Sequence, residues 1–120
     1  MNMKIINVEI ELFQMNIEFI IGNLKETKKW ILNEYNIDID ISCADGLYVN
    51  FIHKNSYKNF ILLKKWINNP ETISVLVHEI SHASVKIIKD LGIITKDEYN
   101  ELYAYMNDFI LRKFLEKIKN

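Results

Sequence analysis

Apolar and polar residues alternate with a period near two over residues 3–13, where Ile6, Val8, Ile10 and Leu12 share one side. A similar alternation runs through Asn16-Ile17-Glu18-Phe19-Ile20-Ile21. With Gln14-Met15 between the two runs and Gly22-Asn23 after them, the pattern predicts a β-hairpin. Residues 24–35 change to helical spacing, with Leu24, Ile31 and Tyr35 near one stripe beside Trp30. Asp45-Gly46 marks a turn into a strand over residues 47–52. Residues 53–59 read as a polar loop, and residues 60–67 as a further strand.

The helix signals sharpen after that. In Asn69-Pro70-Glu71 the Asn can cap, Pro fits the first helical position and Glu suits the positive end of the helix dipole. A helix from residue 70 to about 91, closed by Gly92, follows. Its Ile73, Leu76, Val77, Ile80, Ile87 and Leu91 form a broad apolar face with Val75 and Val85 outside it, which predicts a largely buried helix. Thr95-Lys96-Asp97-Glu98 has the form of a capping box. It opens a last helix to about residue 117, with Leu102, Met106, Phe109, Ile110 and Phe114 facing in. The whole predicts one α+β domain over residues 1–120: a small antiparallel or mixed sheet, made of the N-terminal hairpin plus two strands, packed on three helices.

Length and composition agree with that picture and narrow the function. The chain has 120 residues, 49% of them hydrophobic and 26% charged, enough for one modest core. A formal net charge of -1, with lysine clusters no longer than Lys28-Lys29 and Lys64-Lys65, argues against nucleic-acid binding. Cys43 is the only cysteine, so no internal disulfide forms and a reducing compartment suits the chain. No apolar run reaches the roughly 18 residues that span a bilayer. The N-terminal stretch carries Glu9 and Glu11 and has no small-residue cleavage site, which makes it a poor signal peptide. The expectation is a cytoplasmic protein without membrane contact.

The candidate chemistry lies in the second predicted helix, in His78-Glu79-Ile80-Ser81-His82. Residues four apart share a helix face, so two imidazoles spaced in this way can converge on one ion. Glu79 is turned by roughly 100° from His78, beside such an ion, where a general base for a bound water belongs. A shuffle of this chain's own residues yields His-Glu-x-x-His in roughly 0.4% of permutations, so chance is a poor explanation for it. The plain alternative is a pair of buried core histidines satisfied by neighbours.

A protein-held zinc needs a third ligand. Ile88 stands where a histidine six residues after His82 would be, and His53 lies in the predicted loop. The remaining carboxylates are Asp90, Asp97, Glu98, Glu101 and Asp108. Asp90 is two turns below His82 on the same helix, and Asp97 and Glu98 belong to a helix start. Glu101 has Ala104 one turn after it, a small residue that lets two helices approach, so it is the favoured third ligand over an ordinary exposed glutamate.

His78-Glu79-x-x-His82, eighteen residues and then Glu101 resembles the HExxH-x18-E spacing of the gluzincin group of zinc metallopeptidases. The string Glu101-Leu-Tyr-Ala-Tyr-Met is similar to a segment of small, phage-encoded zincin-like proteins, and the pairing resembles, more distantly, ImmA/IrrE metallopeptidase domains. The resemblance implies a minimal zincin-like fold and a zinc-dependent hydrolase. In it Zn2+ is held by His78, His82 and Glu101, Glu79 activates the zinc-bound water, and a protein or peptide is the substrate. If the chain is phage-encoded, its place is the host cytoplasm. An Asp four residues after the ligand Glu, common in gluzincins, is Tyr105 here, with Asp108 as a substitute. Tyr103, Tyr105, Tyr57 and His53 are oxyanion candidates by type alone. The alternative expectation is a catalytically idle zincin-fold protein that binds a host or phage protein; a metal-free helical interaction domain is the third.

Overall fold

The computed structural model describes residues 2–41, 45–92 and 98–119, with the backbone alone for residues 98–100. The N-terminal alternation forms a hairpin of β1 (Lys4–Ile10) and β2 (Met15–Ile21), with Ile10 opposite Met15. The chain turns between them through a single 3-10 turn, Glu11–Phe13, closed by Gln14 at φ 52°. Leu12 therefore leaves the strand's inner side and is 85% exposed, against the expectation that it continues the row Ile6, Val8, Ile10. Helix α1 (Leu24–Tyr35) follows, capped by Asn23, whose Oδ1 accepts from the Glu26 N–H at 3.1 Å.

The next two strands are β3 (Gly46–His53) and β4 (Ser56–Leu63). The expected polar loop over residues 53–59 is instead a tight turn at Lys54 and Asn55, both with positive φ (50° and 65°), after which Ser56 already pairs with His53. Two successive positive φ values match the twist of antiparallel strands, which is why such turns close hairpins. Lys-Asn is an unusual pair for the job, so its sequence signal is weak. The strand correspondingly ends at Leu63 rather than near residue 67.

The sheet order is β1-β2-β4-β3, with β2 and β4 parallel and the other pairs antiparallel. β4 is internal, and its Phe60-Ile61-Leu62-Leu63 run is apolar on both sides because both faces of the sheet are covered. Ile61 and Leu63 join Phe19, Val8 and Ile10 in a core under α2 (Pro70–Asp90) and α3 (Glu98–Ile118). Phe60, Leu62 and Ile20 face the other way, onto Leu24 and Ile31 of α1. The described residues thus form an α+β fold of three layers, with a four-stranded mixed sheet between one helix and two.

α2 begins as its sequence predicts. Asn69 Oδ1 accepts from the Thr72 N–H at 2.9 Å, Pro70 takes the first position, and Gly92 beyond the end has φ 73°. Leu76, Ile80, Ala83, Ile87 and Ile88 form its buried stripe. Val77 and Val85, however, are 42% and 40% exposed, so one side of α2 is open rather than buried. In α3, Met106, Ile110 and Phe114 face in as expected while Phe109 is 37% exposed. The capping-box residues Thr95, Lys96 and Asp97 and the side chain of Glu98 lie outside the described residues, as does Cys43. No helix among the described residues is long and apolar enough to cross a membrane.

A polar group is built into the sheet near the C-terminal end of α2. Tyr48 Oη and Asn50 Nδ2 both donate to Asn59 Oδ1, at 2.5 and 2.8 Å. Burial, and then the nearby Asp90 carboxylate, push the Tyr48 phenol well above its usual range, with the Asn50 hydrogen bond opposing them. A raised acid pKa favours the protonated folded state. Its contribution is complete below the unfolded phenol value near 10 and is lost as pH rises through the higher folded value. Ultraviolet titration of the native protein is therefore expected to show a phenol that ionises late, missing in Tyr48→Phe. Identical alkaline titrations for the two proteins would refute this.

Candidate metal centre

His78 and His82 lie one turn apart on the open side of α2, both exposed. The reading of the pair as buried core histidines is thereby excluded. Their Nε2 atoms face each other at 3.2 Å, with ring centroids 4.7 Å apart and ring planes at 83°. Two donors held at about 2.0–2.1 Å by one tetrahedral ion stand roughly 3.3–3.4 Å apart. The side chains thus hold the spacing of a chelating pair. Without an ion, two neutral rings at that distance can share one hydrogen bond.

Glu79 leaves that open side. It is only 7% exposed, turned toward the start of β3. A Cβ on Gly46 would come within 3.3 Å of Glu79 Cγ and 2.6 Å of Val75 Cγ1. Gly46 thus lets α2 lie close against β3, and that closeness holds the Glu79 carboxylate beside an outer strand. The Asp45-Gly46 pair suggests only a turn in the sequence; the need for glycine comes from the helix packed above it.

The segment of α3 that follows Glu101 lies against the histidine turns of α2. Tyr103 Oη donates to the Ser81 carbonyl at 3.3 Å, and Ser84 Oγ donates to Asn107 Oδ1 at 2.6 Å. Glu101 itself is exposed, on the stripe Glu101, Ala104, Tyr105 and Asp108 that points away from the core. Ala104 is on that outer stripe too, so the small residue buried in this layer is Ala83 of α2. Among the described residues no three His, Cys, Asp or Glu side chains are gathered in a way that could hold a metal ion. The structure brings His78 and His82 together and does not bring Glu101 to them.

The remaining sequence candidates separate cleanly. Asp108 is paired with Arg112 at 2.8 Å and Asp90 with Lys86 at 2.8 Å. His53 packs edge-on against Tyr35 of α1 at 5.0 Å, on the sheet face opposite α2, which removes it from the site. Tyr105 is 70% exposed on the outer stripe of α3, and Tyr57 lies at the start of β4. Of the three candidate tyrosines, Tyr103 is the one tied to the histidine turn. Comparison with protein families, with curated proteins and with solved structures gave no match.

Proposed function

We propose that this chain is a zinc-dependent metallopeptidase of gluzincin type on a minimal zincin-like fold, hydrolysing a protein or peptide. The observation that carries the reading is the His78–His82 pair, whose facing Nε2 atoms at 3.2 Å suit two ligands of one tetrahedral ion. Two imidazoles on a helix face suit Zn2+ among the available divalent ions. Glu101 is the proposed third ligand. That assignment rests on its spacing from His82, and ligation requires Glu101 to turn in from the outer stripe of α3.

The chemistry of the chain's own residues follows from the layout. β3 is an outer strand of the sheet, so an extended peptide can add to it through main-chain hydrogen bonds. β4, the strand that leads into α2, offers no such edge because it lies between β2 and β3. Glu79, next to Gly46 at the start of β3, is suited to take a proton from water attacking a carbonyl of that peptide and to pass it to the leaving amine. Zinc, when bound, supplies Lewis-acid polarisation and a more acidic water.

Metal analysis tests the ligand assignment. Wild-type protein is expected to retain close to one zinc per chain after dialysis. His78→Ala is expected to lose affinity by more than the ~10–100-fold that loss of a supporting outer group costs. Equal zinc in both proteins removes the pair as ligands.

One observation favours a second reading, an idle zincin-fold protein that binds a host or phage protein: Glu101 stands outside the histidine pair. Turnover separates the two. A substrate consumed many times over by limiting protein supports the peptidase, and a stoichiometric effect supports the binder.

A further inference from the structure

At the sheet edge opposite β3, a groove of about 570 Å³ runs between β1 with its following turn and α3. One wall carries Leu12 and Phe13, the other Leu102, Tyr105 and Phe109. Leu12 is 85% and Tyr105 70% exposed, the two most exposed large apolar side chains among the described residues. The two lips differ in sign. Glu9 and Glu11 stand on the β1 side, Lys113 and Lys117 on the α3 side.

From this pattern we infer that the groove is the interface of a two-fold symmetric dimer of this chain. β1 and α3 run in opposite directions along the groove: Lys117 reaches the Asn7 carbonyl at one end, while Phe13 and Leu102 lie toward the other. A two-fold axis laid along the groove keeps each end in place and exchanges the walls. The acidic lip of each copy then meets the basic lip of the other, and the ends bearing Leu12, Tyr105 and Phe109 close on one another. This is the self-complementarity that an isologous interface requires.

The charge arrangement decides against a partner of one sign, which would meet a repelling lip on one side. It also decides against edge-to-edge pairing of β1. The Lys117 ammonium already binds the Asn7 carbonyl, a common way of blunting a free strand. The groove is at the sheet edge opposite β3, and neither His78 nor His82 lines it.

Sedimentation equilibrium of the full chain over a concentration series tests the inference, with and without a chelator. The expected mass approaches twice 14.3 kDa at tens of micromolar in both conditions. Tyr105→Glu, which sets a carboxylate in the apolar end, is expected to raise the dimer Kd at least tenfold, about the effect of one misplaced charge in a desolvated patch. Glu11→Lys and Lys113→Glu are each expected to weaken the dimer, and the double exchange to recover it. These positions are at the surface, and unchanged far-ultraviolet circular dichroism checks that the variants are folded. A mass of one chain at every concentration overturns the proposal. So does a dimer that Tyr105→Glu leaves unchanged, or a double exchange no better than the worse single variant.

Discussion

Glu79→Gln is expected to leave zinc content unchanged and to lower kcat for peptide cleavage by roughly 10²–10⁴-fold, the range that a positioned general base supplies. The substitution preserves shape, which matters because the side chain is only 7% exposed beneath the start of β3. A larger or shorter residue would disturb the contact between α2 and Gly46 and confuse lost chemistry with lost packing. An amide cannot take the proton that a carboxylate takes, so the variant removes the base and little else. Zinc content is the control, since Glu79 points toward the sheet while the two imidazoles face each other on the open side of the helix. Undiminished cleavage by the variant would discard Glu79 as the base, whatever its metal content.

The largest effect on stability is expected from Phe114→Ala. Phe114 is fully buried where α3 meets the sheet, with its ring 4.6 Å from Phe19 of β2 and 5.1 Å from Trp66. Removing a buried phenyl group costs about 3–5 kcal/mol through lost transfer free energy and the cavity left behind. Domains of this size are stable by only about 5–15 kcal/mol, so the variant sits near the edge of folding. A denaturant titration should show the midpoint falling steeply with the slope unchanged. A midpoint within error of wild type would mean that the α3 layer contributes little to the fold. Because α3 also carries Glu101 and Tyr103, the same variant should lose zinc if the proposed centre draws on that helix.

Local chemistry made much of the fold readable. Leu24–Tyr35 and the start of α2 at Asn69-Pro70 follow from caps and apolar spacing that act over a few residues. The hairpin of β1 and β2 follows from alternation, which a strand with one buried face must show. The errors came where the neighbours, and not the segment, decide. Lys54-Asn55 adopts a turn that few such pairs adopt, because β3 and β4 are held in register on either side of it. Leu12 fits the strand pattern but falls on the turn after it. Val77 belongs to an apolar helix yet is exposed, since the sheet covers only one side of α2 at that turn.

The candidate site divides in the same way. A four-residue spacing on one helix necessarily stacks two side chains, so the meeting of His78 and His82 was determined by the sequence itself. Whether that stack faced the core or solvent depended on which side of α2 the sheet covers, and the close seating of Glu79 beside β3 depended on a glycine thirty-three residues upstream. The place of Glu101 is of the second kind as well. Spacing along a chain specifies neither the rotation nor the approach of the next helix, and in α3 those are governed by Met106, Ile110 and Phe114 seeking the core, which leaves Glu101 on the outer stripe. Short-range periodicity settles what a helix can present. Only the packing of layers settles what each presented group meets.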